Sequence, residues 1–542
     1  GRLFITPKIA IVLLTILIVL SSLLTVFYLL IGTDKHQTSP NSMAEEMKLE
    51  AQYFQKEGIG LSDGDFIFDT YAGRMDVNLK SMAALCLQQG DTSCAVDSMT
   101  RAISTDVTDG EIQIYNENLH VLQSGAPSVS IVLGLAIASD ATYLLRARSI
   151  MQAAFLAQHE INTKGLLPGN RRLRILIDNS GADDARVATA AQFIANRIRN
   201  GNPDHIVAVV GWPSSSETVN ALDVVTGVRV PMISQTASST SLSGGSPYFF
   251  RVNPTDAQQG ETLGDVAVKQ FQAKRILLLQ DPTDPYSVSL ANAFSNRVMA
   301  LKASIIHGPG DNFTLRTTTS DAYQRGVVKE AVEKKVDLIF MAGFDVDAVR
   351  LAHALGNAYR AKLDSAFLAN LKIMCGDAAA TGLLLGIGGG PDASIAVHFP
   401  QDMRRLMFSS FAYPDEWTFE RIPSAQQPHF FSDWFTIYKN ISVDATDVPQ
   451  PGSHAILTYD AIQVLVKAMT LVKHSPLTGE TIRAALASLG TEEIPPFQGI
   501  SGLIAFNNQG DPIDKAFVLL DIESVGGSNR FVLKQVIGPL HK

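Results

Sequence analysis

The chain has 542 residues and a formal net charge of −9, with 53 acidic residues against 44 Lys and Arg. This length predicts more than one domain, and the acidic balance argues against nucleic acid as a partner. The three cysteines, Cys86, Cys94 and Cys375, match no zinc-ligand spacing and no dense disulfide framework. Cys86 and Cys94 could pair across a helical hairpin, but buried free thiols are an equally open alternative.

The first predicted element is an uncharged apolar segment, residues 9–31. It is long enough to cross a bilayer as a helix, which takes about 20 residues. A secretory signal peptide is the alternative, but its apolar core has only about 7–15 residues, and no A-x-A cleavage site follows here. Because Arg2 and Lys8 precede the segment, we expect a single-pass anchor in the cell membrane with the binding domain outside the cytoplasm.

Two short regions follow the apolar segment. Residues 34–75 are interpreted as a stalk, and residues 76–127 as an α-helical spacer. Within the spacer, residues 76–109 have the spacing of two helices joined at Gly90 and resemble one tetratricopeptide repeat. Solenoid repeats need neighbours to bury their faces, so a lone repeat favours a spacer over a peptide-binding groove.

A different pattern begins at residue 129, where short apolar runs alternate with segments of helical spacing. This alternation predicts βαβ units and a parallel sheet. The predicted strands are residues 129–137, 173–178, 206–210, 228–233, 275–280 and 336–343.

Two of these strands end in turns rich in small hydroxyl side chains. The strand 206–210 is followed by Gly-Trp-Pro-Ser-Ser-Ser, and the strand 228–233 by Ser-Gln-Thr-Ala-Ser-Ser. Open α/β sheets bind ligands at the carboxyl ends of their strands, and helix N-termini there attract anions. The pair of turns therefore predicts a site for a small anion such as a carboxylate, although Ser and Thr also serve simply as helix caps.

A second series of strands ends in acidic and aromatic residues. Tyr286 follows the strand at 276–279, Phe344 follows the strand that ends at Ala342, and Asp377 follows the run 371–374. If the two series belong to two lobes, their strand ends face each other across a cleft. Hydroxyls on one lobe would then oppose an acid and aromatic rings on the other.

Residues 129 to about 536 resemble the type I periplasmic solute-binding proteins, specifically the leucine/isoleucine/valine-binding group of ABC transporter receptors. The matching motifs occur in the family's order: QHEIN at 158–162, VVGWPSSS at 209–216, VPMISQTASS at 230–239, PYFFRVNP at 247–254, DPY at 284–286 and FQGISGLIAFNNQGD at 497–511.

The resemblance implies a two-lobed α/β fold of doubly wound parallel sheets within a solute-binding domain at 128–542, whose lobes close on a ligand. Three crossovers are expected to join the lobes. They are placed near 251–254, 411–414 and 499–506, with lobe 1 at about 128–251 and 415–500 and lobe 2 at about 255–411 and 506–542.

The resemblance also implies the roles of individual residues. Ser215, Thr236 and Ser238 look like the residues that hold a ligand's α-carboxylate and ammonium, and Asp377 like the acid that pairs with the ammonium. Tyr286 and Phe344 fall where the family has aromatic rings that cover the ligand. Trp212 and Tyr143 lie where this sequence departs from the family's pattern, and we expect them to shape the ligand specificity.

An unusual insertion spans residues 378–404 and contains the glycine-rich run 386–390. As a nucleotide-binding motif the run is weak, because no segment of helical spacing follows it. We expect a flexible loop there.

The leading hypothesis is a membrane-tethered extracytoplasmic receptor for a branched-chain-like amino acid or a related small carboxylated solute, which it delivers to an ABC permease. The alternative is a ligand-sensing extracellular domain of a transmembrane signalling protein. Catalysis, cofactors and metals are not expected, because His159, His205, His307 and His353 show no triad or metal-ligand spacing.

Overall fold

The computed structural model describes residues 40–307, 320–438, 450–472 and 475–541. Within these residues no helix is both long and apolar enough to cross a membrane. The predicted anchor at 9–31 lies outside the described residues. The described residues from Glu50 onward form one compact unit, and those before Glu50 belong to another.

Fifteen β-strands occur in the described part of the chain, and each of the six predicted apolar runs overlaps one of them. The strands are β1 Gly60–Ser62, β2 Ser128–Leu135, β3 Arg172–Asn179, β4 Ile206–Val210, β5 Met232–Ser234, β6 Phe249–Arg251, β7 Arg275–Gln280, β8 Ser304–His307, β9 Leu338–Ala342, β10 Ile373–Cys375, β11 Leu406–Ser410, β12 Phe497–Gly499, β13 Gly502–Ile504, β14 Phe517–Val525 and β15 Ser528–Ile537.

The α-helices lie between these strands and before them. They are α1 Pro40–Glu57, α2 Val77–Gln88, α3 Thr92–Thr105, α4 Gly110–Ser124, α5 Ala141–Lys164, α6 Asp184–Arg199, α7 Ser215–Thr226, α8 Asp256–Asp265, α9 Pro285–Ala300, α10 Asp321–Lys334, α11 Asp345–Arg360, α12 Ser365–Leu368, α13 Gly390–His398, α14 Pro400–Met403, α15 Glu416–Phe419, α16 Phe430–Tyr438, α17 Ser453–Leu471 and α18 Gly479–Ala487.

Two large sheets form the cores of two lobes. The first sheet has the strand order β1-β3-β2-β4-β5-β6, and the second has the order β15-β14-β11-β10-β9-β7-β8. In the first sheet every pair from β3 to β6 is parallel, whereas in the second sheet β14 and β15 add two antiparallel strands at one edge. Helices between consecutive parallel strands cover the sheets, as the alternating sequence pattern predicted.

The chain passes from one lobe to the other three times. It leaves the first sheet after β6, returns after β11 to helices that pack in the first core, and crosses again between the small β12-β13 pair and β14. Three passages make the carboxyl ends of the two parallel series meet at one cleft.

The segment before residue 128 contributes directly to the first lobe. β1 pairs antiparallel with β3, with Leu61 opposite Asp178. Met99 and Ile112, from the predicted spacer, belong to the same buried apolar cluster as Ile131 of β2. The predicted stalk at 34–75 therefore contains an edge strand of the sheet, and the helices of 76–127 share a core with the domain that follows.

The helical pattern of the spacer is confirmed as the hairpin α2-α3, followed by α4. Asp91 caps α3 by accepting a hydrogen bond from the Cys94 amide, and Cys86 forms a disulfide with Cys94 across the turn. Cys375 is a buried free thiol. The disulfide fixes the hairpin, while α4 packs against α5 of the first lobe.

A buried charged network joins the N-terminal segment to α5. The Asp69 carboxylate accepts hydrogen bonds from Arg148, Nε at 2.8 Å and Nη2 at 3.0 Å, and from Arg74 Nε at 2.8 Å. Burial raises the pKa of Asp69, but the hydrogen bonds and charges of Arg148, Arg74 and Lys80 outweigh it and hold that pKa well below its usual value. The carboxylate therefore stays ionised and paired.

In the insertion at 378–404, the glycine-rich run is non-helical up to Gly389 and leads directly into a helix. Residues after Gly389 form the helix α13, which begins with Gly390-Pro391. Proline is tolerated in the first turn of a helix, because the backbone N–H that it lacks would have no helical acceptor there. Asp392 in that first turn pairs with Arg350 of α11, with Nε to Oδ1 at 2.6 Å. The helix is thus fastened to the second lobe.

The Arg148–Asp69 contact gives a test of how firmly the N-terminal segment is held. We expect Arg148→Ala to lower the free energy of unfolding by about 3–5 kcal/mol, because it removes two of the three hydrogen bonds that this buried carboxylate accepts from arginines. The measurement is urea denaturation followed by circular dichroism. Arg101→Ala is the matched control, since that side chain is 64 % exposed and should change stability by less than about 0.5 kcal/mol. Equal stability of the two variants would contradict this account.

Candidate functional site

A cleft of about 150 Å³ lies between the two lobes, at the carboxyl ends of their parallel strands. Side chains from both lobes line it, which is the position where open α/β sheets bind ligands. Six of the residues predicted for the ligand site line this one cleft: Ser215, Thr236, Ser238, Tyr286, Phe344 and Asp377.

On the first lobe, Ser215 is the first residue of α7. Ser214 caps the helix, and its hydroxyl accepts from the Glu217 amide while the Glu217 carboxylate accepts from the Ser214 amide. The Ser215 Oγ accepts a hydrogen bond from the Ser239 amide at 3.1 Å, so its own proton remains to be donated. A hydroxyl donor at a helix N-terminus, where backbone N–H groups also have no helical partner, suits an anion.

Thr236 lies just beyond β5 and has a different hydrogen-bonding capacity. Its hydroxyl donates to the Pro213 carbonyl at 2.7 Å and also lies 3.2 Å from Nδ1 of His454. Because a hydroxyl has only one proton, Thr236 must accept from His454. Its remaining lone pair offers the cleft an acceptor, which suits a ligand ammonium better than a carboxylate.

On the second lobe, Asp377 follows β10 and faces these groups across the cleft. Its Oδ1 accepts from Gln259 Nε2 at 2.8 Å, and the neighbouring Ala378 amide donates to the Tyr286 hydroxyl at 3.3 Å. Burial raises the pKa of Asp377 to about 7, although hydrogen bonds from Gln259 and Tyr286 oppose the rise. The cleft therefore holds a carboxyl group that is ready to gain a cationic partner.

Aromatic packing and a required glycine hold this acid in place. The rings of Tyr286 and Phe344 are 5.7 Å apart between centroids. A Cβ added at Gly376 would lie 2.3 Å from the Tyr286 hydroxyl, so only glycine allows the ring to approach the backbone beside Asp377.

The two other predicted site residues, Trp212 and Tyr143, are not among the residues that line this cleft. The Trp212 indole is fully buried in the core of the first lobe. It lies against β2, where a Cβ at Gly134 would be 2.7 Å from its ring. Tyr143, on α5, packs its ring 5.0 Å from the Arg146 guanidinium. The bulk of Trp212 thus fills the space beside a strand instead of narrowing the cleft.

Several lining residues were missed by sequence reasoning, chiefly Arg146 and His454. Arg146 is in the middle of a helical pattern, and its Nη2 pairs with Glu217 Oε1 at 2.8 Å. His454 is the second residue of α17, which follows no recognisable strand. The one signal that could have found it is the Gly452-Ser453 pair, which marks a helix start.

The two lobes touch each other beside the cleft. The Ser239 hydroxyl on the first lobe donates to the Pro285 carbonyl on the second at 3.0 Å, and the Thr240 amide donates to the Ser289 hydroxyl at 2.9 Å. At another point a Cβ on Gly388, in the insertion, would lie 3.0 Å from Leu145 Cδ1. A small molecule in the cleft would be enclosed by both lobes.

This fold and this cleft define a two-lobed binding protein. A sequence profile of the periplasmic binding protein family matches residues 131–522. The chain therefore belongs to the periplasmic binding protein family.

Individual relatives agree with that family. The chain is 27 % identical over 207 residues to the Leu/Ile/Val-binding protein BraC3 of Rhizobium johnstonii, a match that covers 38 % of this chain and 52 % of the relative. The chain thus spans about half the length of the curated relatives it matches.

Solved structures show the same fold over a longer stretch. A leucine-binding protein from Thermotoga maritima is similar with a TM-score of 0.58 and 20 % identity, over 76 % of this chain and 99 % of that one. A branched-chain amino acid transporter substrate-binding protein from Streptococcus pneumoniae, solved with isoleucine, is similar with a TM-score of 0.55 and 18 % identity, over 75 % of this chain and all of that one.

Proposed function

We propose that the chain is an extracytoplasmic receptor that binds a free amino acid between its lobes and serves an ABC transporter. The observation that carries this proposal is the opposition of the Ser215 hydroxyl at a helix N-terminus to the Asp377 carboxyl across one enclosed cleft. A zwitterion can leave water only if both of its charges meet partners, because an unpaired buried charge is very costly. The names of the relatives, which refer to amino acid binding, support the same ligand class.

We assign each end of the ligand from the hydrogen-bonding capacity of the groups in the cleft. We place the α-carboxylate at the Ser215 hydroxyl and the first turn of α7. The hydroxyl, the backbone N–H groups and the helix dipole there all favour a negative charge. The α-ammonium is placed between the Thr236 lone pair, Ser238 and Asp377. An ammonium has three donors, and these three side chains supply three acceptors.

The disulfide supports a location outside the cytoplasm. The Cys86–Cys94 disulfide suits an oxidising compartment, since cytosolic thiols are generally kept reduced. The uncharged segment at 9–31 would supply a membrane anchor. In this arrangement the partner of the closed, ligand-bound lobes is an ABC permease.

Isothermal titration of the full chain against the twenty amino acids tests the binding site. We expect at least one to bind, with Ser215→Ala weakening it roughly 10- to 100-fold and Asp377→Asn at least as much, because each variant removes a hydrogen bond to a charged group. Ser104→Ala and Asp97→Asn are matched surface controls and should leave the affinity unchanged. Unchanged affinity in both cleft variants would rule out this site.

The pH dependence of binding tests the role of Asp377 separately. Burial raises the pKa of Asp377 to about 7, and only the ionised carboxylate can pair with an ammonium. Binding must therefore release a proton below neutral pH. The dissociation constant should be about 10-fold larger at pH 6 than at pH 8. Asp284 and Asp345, whose pKa values burial raises to about 6, titrate lower. Asp377→Asn should flatten the profile, and the same slope in that variant would refute the assignment.

A further inference from the structure

One polar group in the cleft has no role in the binding of the ligand's α-groups. His454 stands at the start of α17 and lines the cleft together with Ser453. The protein partner of its ring in the described residues is Thr236, through Nδ1. Its other ring nitrogen, Nε2, is therefore available to a ligand.

The hydrogen bonds of Thr236 fix which tautomer His454 adopts. Since the Thr236 proton goes to the Pro213 carbonyl at 2.7 Å, Nδ1 of His454 must carry the proton in the 3.2 Å contact. In a neutral imidazole one nitrogen is a donor and the other an acceptor. Nε2 is then an acceptor, and the cleft needs a donor to satisfy it.

The imidazole stays neutral under physiological conditions. Burial and, to a smaller extent, the positive charge of Arg146 together lower the pKa of His454 to about 3. The ring therefore does not become a cation that could bind a carboxylate through Nε2.

The ligand's ammonium is not the donor that Nε2 requires. Its three N–H groups are matched by Thr236, Ser238 and Asp377 in the arrangement proposed above. A second cationic group of the ligand is disfavoured at the His454 ring itself, because the charge of Arg146 acts on that ring. What remains is a neutral donor elsewhere on the ligand.

We propose that the ligand's side chain carries a neutral hydrogen-bond donor, a hydroxyl or a carboxamide, which His454 accepts through Nε2. The inference rests on the proposed function and narrows its ligand to a polar, uncharged amino acid. It departs from the aliphatic ligands in the relatives' names. An aliphatic side chain of the same shape would leave Nε2 without a hydrogen bond in an enclosed site. Such an unpaired group separates the affinities of two ligands far more than a difference in their size does.

Amino acids of matched shape provide the test without altering the protein. In titrations of the full chain, threonine should bind roughly 10- to 100-fold more tightly than valine, and asparagine more tightly than leucine. Each pair differs mainly in its hydrogen-bonding groups, so packing in the cleft is held nearly constant.

His454→Phe then assigns the preference to one side chain. The variant keeps a ring of similar size but has no acceptor, so the advantage of threonine over valine should fall to about 2-fold or less. His454→Gln, which retains a carbonyl acceptor and an amide donor, should keep part of the advantage.

Three results would overturn the inference. Valine and leucine binding as tightly as their polar counterparts would refute it and leave the proposed function intact. A preference that persists in His454→Phe would refute the role of this residue. The absence of binding by every amino acid would remove the proposed function, and the inference with it.

Discussion

A charged ligand can be enclosed between two lobes only if each of its charges meets a partner inside the cleft. This requirement links features that lie far apart in the sequence. Ser215 needs a helix N-terminus beside it, and Asp377 needs the Gly376 backbone pressed against Tyr286. In the proposed arrangement the helix N-terminus that faces the carboxylate belongs to the first lobe and the carboxyl group that pairs with the ammonium belongs to the second, so binding needs both lobes.

The helix α17 connects this cleft to a segment that joins the lobes. At its first turn His454 contacts Thr236, and two turns later Asp460 accepts hydrogen bonds from the amides of Ile500 at 2.7 Å and Ser501 at 2.9 Å. Lys515, which precedes β14 of the second sheet, donates to the Ser501 carbonyl at 2.7 Å. The helix thus contacts both a wall of the cleft and the turn between β12 and β13, which precedes the third crossing between the lobes.

The sequence predicts those parts of the site that follow strands, and it misses parts that tertiary packing decides. Ser215 and Asp377 could be found because each follows an apolar run, where parallel sheets present their ligand groups. His454 begins a helix with no strand before it, so only the assembled cleft reveals it. Trp212 sits beside Ser215 in sequence, yet its apolar surface takes it into the core. The edge strand at Gly60–Ser62 is too short to show a periodicity, and its pairing with β3 is a long-range contact.

The central claim is that the cleft recognises both charges of a zwitterion. The most direct measurement is calorimetry of the full chain with three ligands: the amino acid that binds most tightly, its α-amide and its deaminated acid. We expect each analogue to lose at least about 100-fold in affinity, because each leaves one set of buried partners unmatched. An analogue that binds within a few-fold of the parent amino acid would contradict the account.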